Sequence, residues 1–204
     1  ETMSPESPPP AQTPVERILA SASNVFARKG FLGGTLGEIA TGSGLTKAGV
    51  IHHFASKEAI LLALLTQRDQ ELDLTDGDGS LPASENFTLG ELVGRIVEKT
   101  PAILARRELV ELAHILTAEA SHVDHPAHLW VNRRHARLRL QFAAAAAESR
   151  DRGEIAAEID ADEVAITLLG LIEGIEGQWL VAPESIDVQA TLSASLERYL
   201  RALR

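Results

Sequence analysis

The chain has 204 residues, no cysteine and a formal net charge of −10. The absence of cysteine excludes disulfides, thiol nucleophiles and thiolate metal sites, and it fits the reducing cytoplasm in which we expect the protein to act. Hydrophobic residues make up 45% of the chain and aromatic residues 4%, and the abundance of Ala, Leu, Ile and Glu favours helices. An apolar run of about 18 residues is missing, so no membrane association is predicted.

The basic residues are concentrated towards the N-terminus. Between positions 14 and 57 five bases stand against two acids, a net charge of +3, which leaves −13 for the rest of the chain. The bases are Arg17, Arg28, Lys29, Lys47 and Lys57. Such asymmetry predicts a small basic module joined to an acidic body.

The first predicted helix follows a tail. Residues 1–13 are rich in Pro and Ser and are predicted to be disordered. Apolar residues then recur at helical spacing, and this predicts a helix over 14–29 that begins at Pro14 and ends at Gly30.

Three more helices follow closely. Thr35 and Glu38 have the spacing of a capping box, which starts a short second helix. Thr46 can cap a third helix with the sequence KAGVIHHF, and Ser56 can cap a fourth helix that we place at 57–74.

The rest of the chain also has helical patterns. A flexible loop is predicted at 75–86, and Asp160 and Asp187 are predicted to cap the last two helices. The five further helices are predicted at 87–104, 106–122, 125–152, 161–181 and 187–203. Sustained alternation with a period of two residues is missing, so the predicted fold class is all-α.

Two short helices joined by a tight turn with glycine are typical of a helix-turn-helix. Its second helix places N-terminal residues on base edges in the major groove of DNA. Here Val50 and Phe54 lie on one face of the third helix and are expected to pack inward.

Five residues of the third helix are left pointing outward. They are Lys47, Ala48, Gly49, Ile51 and His52. The small Ala48 and Gly49 allow the helix to approach DNA closely, while Lys47 can reach a guanine edge or a phosphate. Ile51 offers apolar contact to a thymine methyl, and the ring N–H of His52 can donate to a phosphate.

Three residues at helix starts are assigned to phosphate contacts. They are Thr35, Thr46 and Lys57, and the basis is that backbone N–H groups and the helix dipole attract phosphate at these positions.

The segment ILASASNVFARKGFLGGTLGEIATGSGLTKAGVIHHFASKEAILLALL resembles the N-terminal DNA-binding domain of the TetR family of bacterial transcriptional regulators. The match covers about residues 15–65 and includes, in order, A…VFARKGF, T…IA…G and K…HHF.SKE. The resemblance implies about nine helices, a homodimer and a C-terminal inducer-binding domain whose last two helices pair across a two-fold axis. LLGLIEGIEGQWLVAPESID is similar to the penultimate helix and following turn of such domains.

The resemblance implies a division of the chain and a function. A helix-turn-helix DNA-binding domain is expected at 14–58 and a ligand-binding and dimerisation domain at 59–204, with the fourth helix as the link. The expected protein is a regulator, most often a repressor, released from a palindromic double-stranded DNA operator by a small-molecule inducer and needing no cofactor. The alternative is a helical ligand-binding or enzymatic bundle without specific DNA binding.

Two positions depart from the family pattern. Many members have an aromatic residue, usually Tyr, where this chain has Ile51, so one contact to the DNA backbone is expected to be lost. Gly37 lies near a second-helix position where some members use a long side chain to contact a base. Both changes affect the operator sequence and leave the mode of binding unchanged.

Two histidine clusters raise the question of metal. His52 and His53 are neighbours on a helix and point about 100° apart, so they are poorly placed to chelate one ion. His122, His125 and His128 straddle a turn between helices, where a solvated junction is favoured over a metal or ligand site.

The candidate dimer contacts lie on the last two helices. Glycines recur at Gly170, Gly174 and Gly177, and a strip of glycine allows another helix to approach closely, which would offset about 1 kcal/mol of lost helix propensity per glycine. The interface is therefore assigned to this strip and to Leu192, Leu196 and Tyr199. The strip also argues against a catalytic role for the neighbouring Glu173 and Glu176.

An inducer pocket is expected to be mostly apolar with a few polar groups. Candidate residues, by type and predicted helix, are His114, Trp130, Leu138, Phe142 and Trp179. Arginines on the same long helix, Arg133, Arg134, Arg137 and Arg139, favour a salt-bridged surface, with an anionic inducer as the alternative. No Ser/His/Asp pattern, P-loop or GxGxxG sequence favours an enzyme.

Overall fold

The computed structural model describes residues 12–71 and 87–204, with the side chains of 68–71 outside that description. Throughout the described residues the chain forms helices and no strands, which confirms the all-α prediction. The helices are α1 (Pro14–Gly33), α2 (Leu36–Ser43), α3 (Lys47–His53), α4 (Lys57–Glu71), α5 (Leu89–Leu104), α6 (Arg107–Glu119), α7 (His128–Asp151), α8 (Ala161–Val181) and α9 (Val188–Ala202). The predicted tail, except its last two residues, and the predicted loop at 75–86 lie outside the described residues.

The chain divides into two compact units, with the boundary between Leu65 and Thr66. Helix α4 crosses this boundary as one continuous helix. The N-terminal unit is longer than the predicted domain, which ended at residue 58, and the buried Ile60 and Leu61 of α4 fall inside it.

Helix α1 begins as the sequence predicts and continues for a short segment beyond a break at the predicted end. Thr13 Oγ1 accepts a hydrogen bond from the Glu16 amide, and the Thr13 amide donates to the Glu16 carboxylate, a complete capping box. Regular helical geometry breaks at Gly30, where the sequence predicts the helix to end. The φ of 70° at this glycine makes a kink, which a residue without Cβ tolerates, and the helix resumes as far as Gly33.

The core of the N-terminal unit joins its first three helices. Ile18, Ala22 and Phe26 of α1 are fully buried, as are Ile39 of α2 and Val50 of α3. Burial of each large side chain contributes about 1.5–3 kcal/mol, so this core fixes the relative placement of α2 and α3.

Helices α1 and α2 are in close contact at Ser21 and Gly42. Ser21 Oγ donates a hydrogen bond of 2.9 Å to the Ile39 carbonyl. A Cβ atom added to Gly42 would overlap that hydroxyl oxygen and lie 3.2 Å from Ser21 Cβ. The Gly42→Ala variant is therefore expected to lose about 1–3 kcal/mol of unfolding free energy in the N-terminal unit, which urea unfolding measures.

Gly37 supplies the control for that variant. It lies exposed on the same helix, and the nearest atom to an added Cβ would be Thr35 Oγ1 at 3.9 Å. Gly37→Ala should therefore stabilise the unit by up to about 1 kcal/mol through helix propensity. Equal stability of the two variants would show that α1 and α2 do not approach closely at Gly42.

The C-terminal unit is built from α5 to α9. Helix α7 packs against α8, α8 against α9, and α5 against both α7 and α9. Its core includes Ile96 of α5, Phe142 of α7, Leu168 of α8 and Leu196 of α9.

Helix α8 is apolar along most of its length. It has 21 residues, and the mean hydropathy of its most apolar stretch of 18 residues is 1.4. By length and composition alone it could cross a membrane. The sequence prediction did not anticipate this. Core helices of globular proteins are often as long and as apolar, and α8 packs against α6, α7 and α9. It also carries two carboxylates, Glu173 beside Arg134 and Glu176 beside His114. Only 28% of that apolar stretch is buried inside one subunit, so much of its apolar surface is uncovered.

Candidate nucleic-acid interface and ligand cavity

Side-chain caps and a glycine turn hold α2 and α3. Thr35 Oγ1 accepts from the Glu38 amide, and the Thr35 amide donates to the Glu38 carboxylate. Gly44 turns the chain with a φ of 67°. Thr46 Oγ1 then accepts a 3.0 Å hydrogen bond from the Gly49 amide at the start of α3. The predicted caps of both helices are confirmed.

The outer face of α3 is open to solvent. Lys47, Ala48, Ile51 and His52 are exposed and Gly49 is half-buried, while Val50 is fully buried beneath them. The structure therefore brings together on one surface all five residues that the sequence assigned to DNA contact on this helix.

The adjacent histidines are both exposed. The rings of His52 and His53 meet edge to face, with centroids 5.3 Å apart. Among the described residues no group of three potential ligands could hold a metal ion.

The structure corrects the assignment of Lys57. Its ammonium donates hydrogen bonds of 2.7 Å to the Phe31 carbonyl and 2.9 Å to the Gly34 carbonyl. The same Nζ lies 4.3 Å from the centre of the Phe31 ring. Two of its three N–H donors are thus used inside the unit, and Lys57 fastens the start of α4 to the segment that joins α1 and α2.

Several charged side chains of α1 lie in a groove between α1 and α2. Lys29 pairs with Glu38 of α2, and this hydrogen bond, helped by Thr35, holds the pKa of Glu38 below its usual value of 4.5. Arg17 and Arg28 line the same groove between α1 and α2. The sequence showed these bases only as a charge excess, because no local pattern tells which of them share a groove.

A cavity of about 100 Å³ lies inside the C-terminal unit. Its apolar lining residues are Ile96, Ile103, Val110, Leu138, Phe142, Leu169, Ile172 and Leu192. Thr100, Arg134, Glu173 and Glu176 complete the wall. Mostly apolar walls with a few polar groups are typical of ligand sites.

Two of the five candidate pocket residues, Leu138 and Phe142, line this cavity. His114 stands behind the wall, with Nε2 3.4 Å from the Glu176 carboxylate. Trp130 and Trp179 are not among its lining residues. Trp179 instead packs under the Arg107 guanidinium, 4.8 Å from the ring centre.

The charged groups of the wall form one connected end of the cavity. Glu173 Oε1 lies 3.6 Å from Arg134 Nη1 and 3.1 Å from His135 Nε2. Burial raises the pKa of Glu173, but His135, Arg134 and His114 together outweigh burial and hold that pKa below 4.5. Glu173 is therefore an ionised carboxylate in a largely apolar wall. The sequence singled out both glutamates and Arg134 without placing them in a common site.

The second histidine cluster is divided by its hydrogen bonds. His125 is buried, with Nδ1 accepting from the Ala127 amide and Nε2 3.5 Å from a Glu119 carboxylate oxygen. His128 Nδ1 lies 2.7 Å from the Ala120 carbonyl oxygen, and His122 is exposed. Among the described residues these three rings therefore do not form a common metal site.

The candidate dimer residues separate into two groups. Gly170 and Gly174 are exposed, with no atom within 4 Å of an added Cβ, but Gly177 packs against the His114 ring of its own subunit. Leu192 and Leu196 are 1% and 0% exposed, so their assignment to the interface is wrong. Tyr199 is partly buried against the same core.

Comparisons with known proteins agree with this architecture. Residues 18–64 match the family model described as "Bacterial regulatory proteins, tetR family". Residues 95–204 match the model described as "BetI-type transcriptional repressor, C-terminal". The chain is also 24% identical to the HTH-type transcriptional regulator TtgR of Pseudomonas putida (strain DOT-T1E) over 196 residues, which cover 95% of this chain and 93% of TtgR.

Solved structures share the fold. The complex of SmeT, the repressor of the Stenotrophomonas maltophilia multidrug efflux pump SmeDEF, with triclosan has a TM-score of 0.73 at 21% identity, covering 94% of this chain and 91% of SmeT. FadR from Bacillus subtilis in complex with stearoyl-CoA has a TM-score of 0.69 at 21% identity, covering 89% of this chain and 95% of FadR. Since the C-terminal family model alone spans more than half of the sequence, the chain belongs to the TetR family of bacterial transcriptional regulators.

Proposed function

We propose that this protein is a cytoplasmic repressor that binds a palindromic operator through α3 and is released by a small molecule bound in its C-terminal unit. The observation that carries the proposal is the outer face of α3, where small and basic residues lie exposed on a helix held by a buried core. The family models support a regulator over the alternative of an enzymatic bundle, and the C-terminal model supports repression.

Each residue on that face has a proposed role. Ala48 and Gly49 let α3 enter the major groove deeply, and Lys47 donates to a guanine edge or a phosphate. Ile51 contacts a thymine methyl, and His52 donates to a phosphate. Phosphate contacts at the start of each helix come from the segments capped by Thr35 and Thr46 and position the protein without specifying sequence.

A homodimer is proposed through the exposed face of α8. Ile166 and Val181 are 61% and 87% exposed there, on the same helix as the open Gly170 and Gly174. Burial of this face against a second copy would remove apolar surface from water and place one α3 in each half-site, roughly 34 Å apart or somewhat more.

The cavity of the C-terminal unit is the proposed inducer site. SmeT and FadR are each known in complex with a small molecule, triclosan and stearoyl-CoA, which supports a ligand in this unit. At about 100 Å³ the cavity is smaller than most ligand sites, which start at about 300 Å³, so binding must widen it. An inducer acts only if it favours the conformation that does not bind DNA.

Fluorescence anisotropy with the protein's own upstream DNA tests this proposal across a series of salt concentrations. Specific binding should weaken steeply with salt, because phosphate contacts release counterions. Lys47→Gln should reduce the slope of log K against log salt by about 1, or relax sequence preference if Lys47 contacts a base. Arg139→Gln removes an exposed charge from α7 and serves as the control, with no effect expected. Failure to bind any upstream DNA at low salt would sink the proposal.

A further inference from the structure

The cavity wall has two carboxylates and one permanent cation. They belong to Glu173 and Glu176 and to Arg134. The other lining residues are apolar apart from Thr100, whose hydroxyl already donates to the Ile96 carbonyl at 2.8 Å. A ligand cation would therefore give each carboxylate of the wall one permanently charged partner.

The two carboxylates differ in how far they are already neutralised. Glu173 lies near both Arg134 and His135. Glu176 has its described contact with His114 alone, at 3.4 Å, and its side chain is only 19% exposed. A carboxylate largely withdrawn from water with a single polar partner is costly, and a ligand cation would relieve that cost. Glu176 is thus the group with unused capacity for a cation.

The positions of the charged residues along α7 and α8 indicate which end of the cavity a ligand's charged group would occupy. On α7, Arg134 lies about one turn before Leu138 and two turns before Phe142. On α8, Glu173 lies about one turn after Leu169, and it meets Arg134 across the two helices. The charges therefore occupy one end of the cavity, and the opposite end is apolar.

We propose that the effector of this protein is a small organic ammonium cation with an apolar body, whose charged group pairs with Glu176 and whose body packs against Leu138, Phe142 and Leu169. This inference rests on the proposed inducer function of the cavity. It stands against the anionic inducer suggested by the arginines of α7, because only Arg134 among them lines the cavity and it is already paired with Glu173.

Three probes with one apolar body and different charges test the proposal. They are 3-phenylpropylammonium, 3-phenylpropanol and 3-phenylpropanoate, each titrated into the full-length protein by calorimetry. The ammonium ion should bind at least about tenfold more tightly than the alcohol, as a charge-assisted hydrogen bond implies, and the carboxylate should bind most weakly. The proposal is overturned if the alcohol or the carboxylate binds as tightly, or if the ammonium ion does not bind at millimolar concentration.

Two variants test whether Glu176 causes the preference for the ammonium ion. Glu176→Gln should remove the preference for the ammonium ion and leave binding of the alcohol unchanged. Glu163→Gln, an exposed change on the same helix, should keep the preference. If Glu176→Gln keeps the preference as well, Glu176 is not the cation partner and the inference fails.

Calorimetry without DNA separates this inference from the proposed function. Cation selectivity that depends on Glu176 but has no effect on DNA binding would contradict the inducer function alone. Operator binding that the alcohol or the carboxylate releases as effectively as the ammonium ion would contradict the cationic effector and leave the repressor function intact.

Discussion

Lys57→Met is expected to destabilise the N-terminal unit by about 2–3 kcal/mol and to leave the salt dependence of DNA binding unchanged. The substitution keeps the apolar stem of the side chain but removes the donors to the Phe31 and Gly34 carbonyls. Both carbonyls lose a charged partner, and the start of α4 is no longer fastened to the α1–α2 segment. DNA affinity should fall by the same factor on specific and unrelated sequences, because the contacts that distinguish bases remain.

Hydrogen exchange of α1 and α2 amides measures the loss of stability, and anisotropy across a salt series measures the slope. Lys47→Gln is the matched control, because Lys47 is exposed on α3 and its loss should reduce the slope without changing amide protection. The opposite pattern for Lys57→Met, a slope lower by about 1 with unchanged protection, would restore the phosphate contact that the sequence suggested.

Helix positions were predictable because their signals are local. Thr35, Thr46, Asp160 and Asp187 each accept a backbone hydrogen bond at the helix start that the sequence assigned to them. A cap depends on residues two or three positions away, so it can be recognised without knowing the tertiary fold. The break at Gly30 was also predictable, but the helical turn after it was not, because a glycine with positive φ serves equally at a helix end or at a kink.

The functions of long or apolar side chains were harder to predict, since they depend on distant partners. Lys57 has the reach for phosphate or for a carbonyl 26 positions earlier in the sequence, and only the fold selects the carbonyl. The exposed face of α3 was predictable because the buried Val50 fixes which residues point outward. The charged end of the cavity was not, because Arg134 and Glu173 lie on different helices and carry no spacing signal.

The apolar stripe of α9 illustrates the same limit. Leu192 and Leu196 lie four residues apart and so share a helix face, as a dimer seam or a core would require. The period of a pattern identifies a buried face but not whether the same chain or a second copy covers it. In the structure the covering residues belong to the same subunit, in a core shared with Leu168 and Phe142.

Leu196→Ala is therefore expected to cost about 2–5 kcal/mol of unfolding free energy, from lost burial and the cavity left behind. Thr191→Ala, an exposed change on α9, should cost little stability and is the control.

Calorimetric melting at several protein concentrations distinguishes a core residue from an interface residue, because subunit association makes the melting temperature depend on concentration. If Leu196 is a core residue, Leu196→Ala lowers the melting temperature by a similar amount at every protein concentration and leaves the mass of the proposed dimer unchanged. A variant that melts normally when concentrated but dissociates on dilution would place Leu196 back in the interface.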